Sequence, residues 1–154
     1  MKALVVYDSV YGNTEKIARA IGAAIAADVR VLRAAEVSPS ELGAIDLLVV
    51  GSPTHGGKPT ESVQEFLSRI SPGALKNVRV TSFDTRVKVV IARLFGYAAG
   101  RIAGGLKGKG GRLVAPPQGF IVKGNEGPLA EGELERATNW AKGIAAASSQ
   151  KSVT

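Results

Sequence analysis

The chain has 154 residues, the length of one ordinary domain, and 45% of them are hydrophobic, enough to build a core. It has no cysteine and one histidine, His55, which excludes a disulfide framework, thiolate metal sites, cysteine nucleophiles and dithiol redox motifs, and argues against zinc. Twenty Lys and Arg against thirteen Asp and Glu leave a formal charge of +7, an attraction for acidic partners, nucleic acid or anionic surfaces that does not choose among them.

Residues 2–7 (KALVVY) form a β-branched run with the pattern of a strand buried on both faces. That run ends at Asp8, too early for a signal-peptide core, and no stretch approaches the roughly 18 apolar residues of a spanning helix, so a cytoplasmic protein is expected. Ile17, Ala18, Ile21, Ala24 and Ile25 then recur at helical spacing within 14–27. Val29 to Leu32 reads as a second strand, Ser38 to Leu42 as a short capped helix with an early proline, and Ile45 to Val50 as a third strand. Thr60 to Ile70 is helical through Val63, Phe66, Leu67 and Ile70, and Ser71-Pro72-Gly73 stops it.

Val78 to Phe83 is a fourth strand. Residues 88–107 carry a helical apolar stripe weakened by Gly96, Gly100, Gly104 and Gly105. Arg112 to Ala115 is a fifth strand, resuming at Gly119 to Val122 after Pro116-Pro117. Glu131 to Ala147 is a final helix with acidic residues in its first turns, leaving 148–154 as a frayed polar tail. Strands alternating with helices predict an α/β fold, one domain over 1–147, with a parallel sheet covered by helices on both faces.

In such sheets ligands sit at the carboxyl ends of the strands, so the segments after each strand carry the functional signal. After the first comes Asp8-Ser9-Val10-Tyr11-Gly12-Asn13-Thr14-Glu15, a turn that aims backbone N–H groups and hydroxyls at one spot on a helix N-terminus. That is a phosphate seat, or a plain turn capped by Asn13 or Thr14; it matches neither GxxxxGK[ST] nor GxGxxG. After the third strand comes Gly51-Ser52-Pro53-Thr54-His55-Gly56-Gly57-Lys58-Pro59, a shaped loop. After the fourth comes Phe83-Asp84-Thr85-Arg86.

Together these loops make the chain resemble the flavodoxin family. Tyr11-Gly12-Asn13-Thr14 is similar to the heart of that family's FMN-phosphate loop, Gly51-Ser52-Pro53-Thr54 to its second flavin loop, and Phe83-Asp84-Thr85-Arg86 occupies the place of the third. The resemblance covers Met1 to about Lys142. It implies a flavodoxin-like three-layer sandwich with a five-stranded sheet in the order 2-1-3-4-5, of the short-chain type, and FMN as cofactor. On that footing Ser9, Tyr11, Gly12, Asn13 and Thr14 would hold the FMN phosphate, and Pro53, Thr54, His55 and Gly56 would line one side of the isoalloxazine. Phe83, Asp84, Thr85 and Arg86 would approach its pyrimidine edge, with Asp84 equally suited to capping the next helix.

Two features depart from the family. Its members cover the flavin with large aromatics of the second and third loops; here the second loop offers His55 and the third no Tyr, while Trp140 suits the core. Flavodoxins are acidic, whereas Arg69 to Lys123 holds eleven Lys and Arg and one acidic residue, Asp84. Arg86, Lys88, Arg93, Arg101 and Lys107 would offer a docking face to an acidic redox protein. Without a recognition motif or interleaved aromatics, nucleic acid and membrane surfaces are weaker competitors. The expected function is an electron carrier between a reductase and an acceptor. The alternatives are a small quinone-reductase-like FMN oxidoreductase and a flavodoxin-fold binding module that has lost FMN. No catalytic side chain and no metal ligand set stands out.

Overall fold

The computed structural model describes residues 1–25, 28–88 and 97–150. In chain order the elements are β1 (Lys2–Tyr7), α1 (Asn13–Ala24), β2 (Asp28–Arg33), two 3-10 turns (Ala34–Glu36 and Pro39–Ala44), β3 (Leu47–Pro53), α2 (Glu61–Arg69), β4 (Arg79–Val87), α3 (Ala98–Gly108), β5 (Arg112–Leu113), β6 (Gln118–Val122) and α4 (Glu133–Gln150). The second 3-10 turn begins as its sequence suggests, with Glu41 reaching back to the Ser38 N–H at 2.8 Å.

Every strand pairing is parallel, and the sheet runs β2-β1-β3-β4-β5 with β6 also against β4, the predicted 2-1-3-4-5 order. β5 and β6 share the fifth position. Val80 pairs with Leu113 and Phe83 with Gln118, so Thr81 and Ser82 of β4 face residues 114–117 on the other side. Two residues opposite four force the interruption, and Pro116-Pro117 has no N–H groups with which to close it.

Alternation along the strands divides the core in two. Leu4, Val6, Leu48, Val50 and Val80 face α2 and α3 through Val63, Phe66, Ile102 and Leu106. Val5, Tyr7, Leu47, Val49 and Phe83 face α1 and α4 through Ile17, Ile21, Ala137, Ala141 and Ile144. This is the helix-on-both-faces architecture that the buried β-branched runs predict. Trp140 does pack in the core: Phe83, Phe120 and Trp140 meet edge to face, with centroids 6.0–6.3 Å apart.

Several boundaries differ from the sequence reading. β4 continues four residues past Phe83, because β6 supplies hydrogen-bonding partners for Phe83 to Val87. β3 likewise runs on through Pro53 against Thr85. α4 extends through Gln150 with Ser148 buried, so the first residues assigned to the tail are helical. Of the helix expected over 88–107, the portion 89–96 lies outside the described residues, as do 151–154. No helix among the described residues is long and apolar enough to cross a membrane.

Candidate cofactor site

The carboxyl ends of β1, β3 and β4 converge on a cavity of about 400 Å³, within the range of small-molecule sites. Its lining includes Val10, Tyr11, Asn13 and Thr14 from the first loop, Pro53 to Gly56 from the second, Thr85 to Val87 from the end of β4, and Val122 and Asn125. Three segments scattered along the chain thus meet at one place because parallel strands deliver all their carboxyl ends to one edge.

The first loop delivers the N-terminus of α1. Its cap position is Gly12 at φ 93°, which has no side chain to occupy the helix end. Ser9 Oγ accepts the N–H groups of Gly12 (3.0 Å) and Glu15 (3.4 Å). The N–H groups of Asn13 and Thr14 belong to the first turn and have no intrahelical acceptor. Thr14 is almost fully buried, its hydroxyl 2.8 Å from that of Thr85, which ties the first loop to β4. Asn13 donates to the Glu126 carbonyl at 3.2 Å and so fixes the 123–128 loop over the same end of the sheet.

The second loop is built from inside. Ser52 Oγ accepts the Thr60 N–H and donates to the Pro53 carbonyl, both at 2.9 Å, closing the base of the loop. His55 and Lys58 exchange both backbone hydrogen bonds around Gly56 (φ 57°) and Gly57 (φ 78°), a two-residue turn whose positive φ angles favour glycine at both positions. That turn holds the exposed His55 at the cavity wall. Gly51 serves a different purpose from the loop glycines: a Cβ there would stand 2.0 Å from the Phe83 ring.

The third segment departs most from expectation. Phe83 to Arg86 is strand, so its side chains alternate across the sheet. Phe83 points into the α1/α4 core, fully buried, and does not line the cavity. Asp84 points the other way, also fully buried, and accepts the Ala99 N–H at 2.9 Å. With Thr54 Oγ1 accepting the Ala98 N–H at 3.0 Å, the second loop and β4 cap α3 between them. Asp84 also holds Arg86 through two bonds of 2.7 and 2.8 Å. The Arg86 guanidinium stacks on the Tyr97 ring, 3.4 Å from its centroid, and fills the space left by the missing side chain of Gly119. Thr85 and Arg86 remain in the cavity wall, whereas Phe83 and Asp84 stand behind it.

Among the described residues the basic side chains of this stretch are set in different surroundings. Arg86 is neutralised by a buried carboxylate, and Lys107 sits in the last turn of α3, the end away from Asp84 and Thr54. Arg93 lies outside the described residues.

Sequence reading missed Val10, Val87, Val122 and Asn125 in the lining, and Arg33 beside the first loop. Arg33 is the register partner of Tyr7, at the carboxyl end of β2. Its guanidinium is 3.6 Å from the Asp8 carboxylate and 3.4 Å from that of Glu15, donates to the Ser9 carbonyl at 3.4 Å, and lies 5.3 Å from the Tyr7 ring centroid. Hydrogen bonding from Arg19 holds the Glu15 carboxyl below its ordinary pKa, against a smaller opposing effect of burial. Burial, and then the charge of Glu15, pushes the Tyr7 phenol up. The signal available in the sequence was a cation at the end of the strand that flanks the phosphate-loop strand.

The fold and site together define a doubly wound α/β protein with a cofactor cavity at the switch between β1 and β3. The family model for flavodoxin matches residues 5–140, and the chain belongs to the flavodoxin family. A flavodoxin from the domain Archaea superposes with a TM-score of 0.81 at 25% identity, over 97% of this chain and 99% of that one. Oxidised flavodoxin 2 from Bacillus cereus gives 0.79 at 25%, over 95% and 99%. Rubredoxin oxygen:oxidoreductase from Desulfovibrio gigas gives 0.79 at 24% over 99% of this chain but 37% of that protein, a likeness of fold. An uncharacterized protein of Methanocaldococcus jannaschii is 40% identical over 72 residues, 46% of this chain and 47% of that relative, so the match spans about half of each.

Membership implies a flavin cofactor, and the residues fit one. The helix end at Asn13 and Thr14 offers N–H donors to an anionic group, Val10, Pro53, Val87 and Val122 offer apolar walls, and Thr85 and Arg86 offer polar groups at one side.

Proposed function

We propose that the protein binds FMN in this cavity and carries electrons between a reductase and an acceptor. The observation that carries the reading is the uncapped N-terminus of α1 opening onto a partly apolar cavity at the carboxyl edge of the sheet. Bound FMN would supply reversible one- and two-electron chemistry at its ring. The chain's own part is to bind and orient. Asn13 and Thr14 would donate backbone N–H groups to the phosphate, Pro53 to Gly56 would cover one side of the ring, and Thr85 and Arg86 would lie at its polar edge. An acidic redox protein is the partner class, steered by the exposed Lys88 beside the cavity rather than by Arg86, which is paired with Asp84.

A second reading, a small quinone-reductase-like FMN oxidoreductase, draws support from the lining. Its rings come from Tyr11 and His55 among the described residues, and Tyr97 is spent on Arg86, which leaves room for a second flat molecule. The test is direct. The purified protein should be yellow and release FMN on denaturation; a colourless protein that does not take up FMN overturns both readings. Rapid reduction by a flavodoxin reductase, with no NAD(P)H–quinone turnover in its absence, supports the carrier. Unaided turnover supports the enzyme.

A further inference from the structure

We propose that Arg33, at the end of β2, is the positioning residue that lets the first loop accept a doubly charged phosphate. The inference rests on the FMN reading and deepens it. The segment that forms the seat, Asp8 to Glu15, carries two carboxylates and no cation of its own. A phosphate on the N–H groups of α1 would therefore meet two negative charges within the same loop, and the helix end provides only a partial positive charge against them.

Arg33 reaches this segment from a different strand and touches it at three points: the Asp8 carboxylate, the Ser9 carbonyl and the Glu15 carboxylate. The planar fork spans both ends of the loop, which a point charge on a flexible stem does less well. Its place is set by the β1–β2 register, which puts it alongside Tyr7 and against that ring. Arg19 holds the outer side of Glu15 at 2.9 Å, so the two arginines balance the two carboxylates. Ser9 also receives the Gly12 and Glu15 N–H groups through its hydroxyl, so a guanidinium on its carbonyl steadies the loop that presents the seat.

The experiment compares FMN with riboflavin, which has the same ring and no phosphate, by fluorescence quenching on flavin-free protein. Arg33→Gln keeps a hydrogen-bonding stem and removes the charge. It should weaken FMN about tenfold or more at low salt while changing riboflavin by less than about threefold, with the FMN loss shrinking at high salt. Asp8→Asn in the Arg33→Gln background should restore most of the FMN affinity, because Arg19 still compensates Glu15 and the carboxylate that Arg33 faced at the other end of the loop is then gone. Arg33→Lys should fall between wild type and Arg33→Gln. Equal losses for FMN and riboflavin, or no loss for either, overturn the inference and leave the FMN reading standing. A wild-type protein that binds neither flavin, or both equally well, overturns the phosphate seat and the inference together.

Discussion

Asp84→Asn separates two roles that the sequence leaves open, a contact to the cofactor and an anchor for α3. Asp84 is fully buried, binds Arg86 at 2.7 and 2.8 Å and accepts the Ala99 N–H at 2.9 Å. Asn keeps the shape and one acceptor but leaves the guanidinium without its counter-charge. Removing one member of a buried pair costs about 3–5 kcal/mol. Arg86 is 21% exposed and water recovers part of that loss, so about 2–3 kcal/mol is expected. That is a large share of the roughly 5–15 kcal/mol that holds a domain of this size together. Asp84→Ala should lose about 1 kcal/mol more, because the Ala99 N–H is then orphaned as well. Arg86→Leu in the Asp84→Asn background should cost less than the sum of the single changes, with a coupling of about 2 kcal/mol. The assay is urea unfolding of flavin-free protein, followed by circular dichroism and Trp140 fluorescence. An Asp84→Asn variant within about 0.5 kcal/mol of wild type that nevertheless loses FMN affinity would refute the anchor and restore the contact.

Gly51→Ala should destabilise by about 2–3 kcal/mol, because its Cβ would overlap a Phe83 ring pinned by Phe120 and Trp140; Phe83→Leu should relieve part of that cost in the double variant, as read by denaturant midpoints. Asn13→Asp sets a charge against the phosphate and drops the tie to Glu126, so FMN affinity should fall about tenfold or more with riboflavin less affected. Glu133 is held below its ordinary pKa by Arg136 and by the Ile121 N–H, against burial. A depressed folded value means stability present above the ordinary glutamate pKa of about 4.3 and lost as pH falls through the folded one. Wild type should accordingly be more stable than Glu133→Gln at pH 7, with the gap narrowing below about pH 4 in thermal melts; a gap that stays constant with pH would dismiss the ion pair as the cause.

The sheet and its helices were legible because their signal is local. Runs of four or five apolar residues mark β1 and β3 whatever they pack against, and 3.6-residue stripes mark the helices. The placing of three loops at one edge followed from the same pattern, since parallel strands joined by crossover helices leave all carboxyl ends on one side. Tyr11 to Thr14 and Pro53 to Gly56 fall in the segments after β1 and β3 to which this pattern points; their roles towards a cofactor came from the family resemblance.

What needed the tertiary structure depends on partners far along the chain. β6 pairs beside β4 and turns an expected loop into strand, sending Phe83 into one core and Asp84 towards Ala99 of α3, 15 residues on. Arg33 joins the first loop through the β1–β2 register. The charge of +7, which the sequence shows as one basic stretch, is divided by the fold: Arg86 is cancelled at the cavity wall and Lys107 is carried to the far end of α3. The sequence by itself determined the architecture and the edge where a cofactor sits, because periodicity and chain direction decide both. Only the tertiary structure decided which side chains meet there and which charges remain uncancelled, because pairing and neutralisation are set by neighbours in space.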